Sequence, residues 1–183
     1  MRCFVAVDLD ERLREKITGL QRTLEGFDVE LVEPQNLHFT LKFLGEADEQ
    51  VIEKVKTAIK EISSGFKPFD VHVQGAGVFP SIDYVRVIWI GCDDLFNLQN
   101  TVEDALAPLF KKEKPIPHLT IARARSATHK DEIKDFVNRN RGIEIGMMRV
   151  NMIKLKKSTL TKQGPIYEDV ETFDMYDIGQ DID

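Results

Sequence analysis

The sequence predicts an α+β fold built as a pseudo-twofold duplication of a β-α-β-α-β unit. Three observations predict it. The chain has 183 residues, 42% apolar and 31% charged, enough to bury a core in one domain of two lobes. Two-residue and 3.6-residue hydrophobic periods alternate along it in the same order twice. One short frame, His-x-Thr-x with apolar x, occurs at His38-Phe39-Thr40-Leu41 and returns at His118-Leu119-Thr120-Ile121.

The first repeat spans about residues 3–78. Residues 3–7 are mostly apolar and read as a strand. Asp10 can cap the next helix, whose Leu13, Ile17, Leu20 and Leu24 share one face. A link containing Pro34 leads to a strand over 38–44. Val51, Val55, Ala58, Ile59 and Ile62 form the stripe of a second helix. Phe69, Val71 and Val73 alternate with polar residues as a third strand, which Gly75, Gly77 and Pro80 are expected to end.

The second repeat spans about residues 84–158. Residues 84–90 read as a strand. Asp93 or Asp94 can cap a helix carrying Leu95, Leu98, Val102 and Leu106. Pro115 and Pro117 precede a strand over 118–122. Ile133, Phe136 and Val137 mark a short helix, and 147–155 reads as a strand with imperfect alternation. A C-terminal strand or hairpin is expected within 159–175, and the acidic tail after Met175 is expected to fray.

Each repeat thus places its His-x-Thr at the start of its second strand. On a strand, residues i and i+2 point to one face. Each frame therefore sets an imidazole beside a threonine hydroxyl and buries the apolar residues behind. Two such strands facing each other, on central positions of two related sheets, would offer two imidazoles and two hydroxyls to one small group. Imidazole titrates near pH 6.5, so one ring can take a proton from a nucleophile while the other gives one to a leaving oxygen. Negative charge on the nonbridging oxygens of a reacting phosphate would be met by the hydroxyls of Thr40 and Thr120. Catalytic candidates are therefore His38 and His118. Strand phase adds Lys42 to the face of His38 and Thr40. Arg123 has the opposite phase and reaches the site only if the strand twists or ends. Phe79 is a candidate for base stacking or for packing, and His72 and His129 lack the frame and read as structural or surface residues.

Composition limits the partners. A net charge of −6 argues against a general nucleic-acid binder; if the protein handles RNA, charge of this sign leaves an end or a small fragment held in a local basic cleft, not a long duplex bound by charge alone. Local basic clusters are Lys111, Lys112 and Lys114, then Arg123 and Arg125, then Lys154, Lys156 and Lys157. Cys3 and Cys92 make neither a disulfide framework nor a zinc spacing. No His-Asp cluster has metal-ligand spacing, no phosphate loop of the G-x-x-x-x-G-K-[ST] kind is present, and Gly75-Ala76-Gly77 is not a dinucleotide fingerprint. No cofactor and no metal are expected. No signal-peptide core and no membrane-length apolar run stand in the sequence, so a soluble, cytoplasmic protein is expected.

Pro34-Gln35-Asn36-Leu37-His38-Phe39-Thr40-Leu41-Lys42-Phe43-Leu44-Gly45 and Pro117-His118-Leu119-Thr120-Ile121-Ala122-Arg123 resemble the two signatures of the 2′-5′ RNA ligase family, within the two-histidine phosphoesterases. The opening residues 2–9, Lys157-Ser158-Thr159-Leu160 and Gly164-Pro165-Ile166-Tyr167-Glu168 resemble the family too. The resemblance implies a bilobal fold, antiparallel sheets facing a central cleft with helices outside. It implies hydrolysis of an RNA 2′,3′-cyclic phosphate end to a 2′-phosphate, with 2′-5′ ligation of tRNA halves as a side activity. It implies His38 as proton donor, His118 as proton acceptor, Thr40 and Thr120 as phosphate anchors, and Arg123 near the phosphate. A nucleotide effector in ligation, no membrane partner and a monomeric state complete the expectation. The rival reading is a noncatalytic RNA- or nucleotide-binding module of the same fold. Both intact frames argue against it.

Overall fold

The computed structural model of the chain describes residues 1–176; residues 177–183 of the acidic tail lie outside the described residues. The first strand, β1 (Arg2–Asp8), leads into α1 (Glu11–Arg22), which Asp10 caps by accepting from the Arg12 N–H at 2.9 Å. A short β2 (Val29–Leu31) precedes β3 (His38–Glu46). Asp48 caps α2 (Glu49–Gly65) through the Val51 N–H at 2.9 Å. Then come β4 (Phe69–Ser81), β5 (Tyr84–Gly91), α3 (Phe96–Leu106), β6 (His118–Ala124), α4 (Lys130–Arg139), β7 (Glu144–Val150), β8 (Met152–Thr161) and β9 (Gly164–Asp174).

Three details differ from the sequence reading. Neither Asp93 nor Asp94 caps α3, because a single 3₁₀ turn, Asp93–Leu95, intervenes. The Asp94 carboxylate instead accepts from the His72 backbone N–H at 2.7 Å. The glycines of β4 do not end it. Gly75 has φ 79° and sits at a register shift, a bulge that bends the strand without breaking the ladder. Gly77 lies under the Trp89 indole, where any β-carbon would collide with the ring. Finally, the single strand expected over 147–155 is two strands, split at Asn151.

That split decides the topology. The strands form one antiparallel sheet in the order β7-β4-β5-β6-β3-β1-β8-β9, with β2 added against β6. It consists of two four-stranded arms, β7-β4-β5-β6 and β3-β1-β8-β9. The arms meet at one residue pair, Phe39 opposite Leu119. The α+β class with antiparallel strands is the one the sequence predicts. The two motif strands, however, lie side by side and diverge from that single pair. Nor are the arms the sequential repeats. The first repeat sends β4 to the second arm, and the chain after α4 returns β8 and β9 to the first. Helices cross over as well: α1 packs on β6 and β7, while α3 packs on β3. The core between strands and helices includes Phe39, Leu41, Ile59, Ile90, Leu98, Leu119 and Ile121, all essentially inaccessible.

Candidate active site

Each motif strand carries a β-bulge at the same place. Opposite β1, pairing steps from Thr40 to Lys42 and skips Leu41. Opposite β5, it steps from Thr120 to Ala122 and skips Ile121. An extra residue reverses side-chain phase from that point on. Leu41 and Lys42 are therefore buried in succession, as are Ile121 and Ala122. The next residues, Phe43 and Arg123, return to the face of the histidines. His38, Thr40 and Phe43 from one strand, and His118, Thr120 and Arg123 from the other, line one cleft of about 730 Å³.

The expectation for Lys42 is corrected accordingly. Its ammonium points into the protein, 2.8 Å from the buried Glu103 carboxylate and 2.6 Å from the Lys111 carbonyl. Arg123 stands on the cleft wall, and the bulge rather than strand twist brings it there. Phe79 packs edge-on against His118, with ring centres 4.8 Å apart. His72 pairs with Asp94 at 3.3 Å on the surface, and His129 stacks on Phe27; both lie outside the cleft.

The two imidazoles are held alike. His38 Nδ1–H donates to the Asn36 carbonyl at 2.6 Å, and His118 Nδ1–H donates to the Ile116 carbonyl at 2.6 Å. A carbonyl can only accept, so in each neutral ring Nε2 is the basic nitrogen. The Thr40 hydroxyl donates to His38 Nε2 at 2.8 Å. Aromatic rings brace both: Phe4 and Tyr167 stand 4.8 and 5.3 Å from His38, and Trp89 stands 5.9 Å from His118. Burial pushes His38 down to about 4, with the Lys156 charge acting in the same direction and the Asn36 bond opposing. Burial also lowers His118, helped by the Arg123 charge and opposed by the Ile116 bond. Both rings are neutral at pH 7 in the free protein.

Charge around the cleft is arranged by both arms. Arg123 on β6 and Arg125 just past its end stand on one wall, with Glu30 and Glu33 nearby. Behind His38, Lys154 and Lys156 share Asp8 and Asp169 at 2.6–2.9 Å. Burial alone would raise Asp8, but the two lysines outweigh it and hold it below the usual carboxylate range. The third basic cluster of the sequence is thus largely neutralised inside the fold. The β8–β9 hairpin closes one end of the cleft with Thr161, Gln163, Pro165 and Tyr167. Phe4, Phe43, Trp89 and Tyr167 have no assigned role in the sequence reading, because their places depend on bulges and on pairing between distant strands; Arg125 stands there only as part of a basic cluster. Among the described residues, no three His, Cys, Asp or Glu side chains converge in a way that could hold a metal ion.

The family model of LigT-like phosphoesterases matches the chain twice, over residues 7–89 and 91–167. The chain belongs to the LigT-like phosphoesterase family. Relatives in this family include the RNA 2′,3′-cyclic phosphodiesterase of Methanothermobacter thermautotrophicus, 38% identical over 94% of this chain and 98% of the relative. Another is the RNA 2′,3′-cyclic phosphodiesterase of Methanocaldococcus jannaschii, 40% identical over 92% of this chain and 97% of the relative. The crystal structure of TT0787 of Thermus thermophilus superposes with a TM-score of 0.81 at 26% identity, covering 96% of this chain and 98% of that one. E. coli LigT complexed with 3′-AMP shares the fold, with a TM-score of 0.74 at 22% identity and coverage of 96% and 98%. As a LigT-like phosphoesterase, the protein is a hydrolase of phosphoesters, and its two family matches each contain one His-x-Thr frame. No helix among the described residues is long and apolar enough to cross a membrane.

Proposed function

We propose that this protein hydrolyses the 2′,3′-cyclic phosphate at an RNA end to a 2′-phosphate, without a metal, using His38 and His118 as an acid–base pair. The observation that carries the reading is the paired anchoring of two imidazoles by backbone carbonyls, each with a threonine beside it, in one cleft. The activity for which the archaeal relatives are named supports the substrate class. His118 Nε2 takes a proton as water oxygen attacks phosphorus. The P–O3′ bond breaks in line, and His38 Nε2–H delivers a proton to O3′. His38 is neutral when the cleft is empty, so the phosphate monoanion must draw a proton onto it on binding. Thr40, Thr120 and Arg123 hold the nonbridging oxygens.

A 5′-hydroxyl in place of water would form a 2′-5′ linkage by the same proton transfers. This makes ligation of RNA ends, tRNA halves included, a second use of the site, with a nucleotide effector in ligation. We take the working form to be a cytoplasmic monomer.

The test is incubation with an RNA ending in a 2′,3′-cyclic phosphate in the presence of EDTA. A 2′-phosphate product is expected. Activity that vanishes with chelator and returns with a divalent ion would overturn the metal-free mechanism, and a 3′-phosphate product would overturn the choice of leaving group.

A further inference from the structure

A second pocket, of about 460 Å³, adjoins the cleft and shares Thr40, Phe43 and His118 with it. Its other walls come from α3 and the loop over residues 107–117. Inside it, Gln99 on α3 is only 9% exposed, and its Oε1 has no hydrogen-bond partner among the described residues. A buried amide oxygen without a partner costs about 1–3 kcal/mol; it is closed off from the surface, so the amide meets a ligand through Nε2, a donor that is itself without a partner among the described residues. The Phe79 ring lies on the same pocket. At the mouth stand Lys111 and Lys114, both exposed; Lys112 between them is paired with Asp104.

The lysine loop is fixed in place. Lys42 donates to the Lys111 carbonyl at 2.6 Å, and Glu103 accepts from Lys42 at 2.8 Å and from the Glu113 N–H at 2.9 Å. This buried ion pair therefore grips the loop backbone on both sides of Lys112. Pro115 and Pro117 stiffen the segment that leads into β6.

An aromatic ring, an unpaired amide and two cations are the complement of a nucleotide: a base face, a base edge and a phosphate. We propose that this pocket is a subsite for the nucleotide immediately 5′ of the terminal one, with its base on Phe79 and Gln99 and the linking phosphate facing Lys111 and Lys114. The proposal rests on the cyclic-phosphodiesterase reading above.

The test compares kcat/KM for a mononucleoside 2′,3′-cyclic phosphate and for a dinucleotide ending in a 2′,3′-cyclic phosphate. The wild-type protein is expected to prefer the dinucleotide, and added salt should erode the preference. The double variant Lys111→Ala/Lys114→Ala should cut the dinucleotide-to-mononucleotide ratio about tenfold and remove its salt dependence. Gln99→Leu should cut the ratio severalfold. Because the readout is a ratio, partial misfolding does not mimic the effect. Equal turnover of both substrates by the wild type, or a ratio unchanged in both variants, would overturn the subsite and leave the proposed activity standing. Turnover of neither substrate by the wild type would overturn the activity itself, and the subsite with it.

Discussion

His38 and His118 owe their orientation to the backbone two residues upstream. A 3₁₀ turn, Pro34–Asn36, brings the Asn36 carbonyl to one ring, and the Pro115-Ile116-Pro117 segment brings the Ile116 carbonyl to the other. With Nδ1–H tied back, each ring presents Nε2 to the cleft, and in the proposed mechanism replacement removes a proton carrier rather than a packing group. His38→Ala and His118→Ala should each lower the cyclic-phosphate hydrolysis rate on the order of 10²–10⁴-fold. Thr40→Val and Thr120→Val keep the strand and lose the donor, so roughly tenfold to a few hundredfold is expected. The pH dependence of kcat/KM should be bell-shaped and lie on the acid side of 6.5, since both rings are lowered in the free protein. The alkaline limb, which reports the acid, should vanish in the His38 variant, and the acidic limb in the His118 variant. A flat profile from about pH 5 to about pH 9, with chemistry rate-limiting, would contradict two-histidine catalysis.

At the scale of elements, β3 and α3 are coupled by one ion pair. Lys42 and Glu103 are 3% and 2% exposed at their side chains. Removing one partner leaves the other charged and buried, at a cost of about 3–5 kcal/mol. Lys42→Met should therefore lower the melting temperature by about 10 °C in a domain of this size. Lys42→Met/Glu103→Leu should recover part of that loss, because no charge is stranded. Calorimetry of the two single variants and the double variant measures the coupling, and strictly additive losses would mean that the pair is not a unit. The bulges at Leu41 and Ile121 reverse strand phase alike, and the first of them makes this pair. Without that reversal, Lys42 would stand in the cleft and Glu103 would have lost its lysine.

Across the whole molecule, acid sensitivity should appear in two windows. A histidine held neutral by burial binds its proton more readily when the chain unfolds. His38 titrates near 4 in the fold and near 6.5 when unfolded, so the unfolded chain carries more protons between those values. Stability is then complete above about pH 6.5 and falls as pH drops towards 4, with His118 adding in the same direction. Asp8 and Asp169 are lowered by their lysines despite burial, so their contribution is present above about 3.8 and is lost only below it. Urea unfolding from about pH 7 to about pH 3 should show both windows, and His38→Gln should shrink the upper one, leaving the His118 part, and spare the lower. An upper window unaltered in that variant would show that His38 is not its source.

Local sequence determined much of this protein. Hydrophobic periods placed the helices and most strands because burial of one face is a local requirement, and Asp10 marked a helix start because a cap acts within three residues. The recurrence of His-x-Thr in equivalent positions identified the catalytic candidates, since i and i+2 share a strand face wherever the strand goes. Tertiary structure decided the rest. Which arm a strand joins depends on partners far along the chain, so the exchange of β4 and β8 between arms left no local mark. Strand phase beyond each threonine depends on a bulge formed only by pairing with β1 or β5. That is why Lys42 turned inward and why Arg123 and Phe43 reached the cleft; Tyr167, from the far end of the chain, came to rest against His38 because β8 pairs with β1 and carries β9 with it.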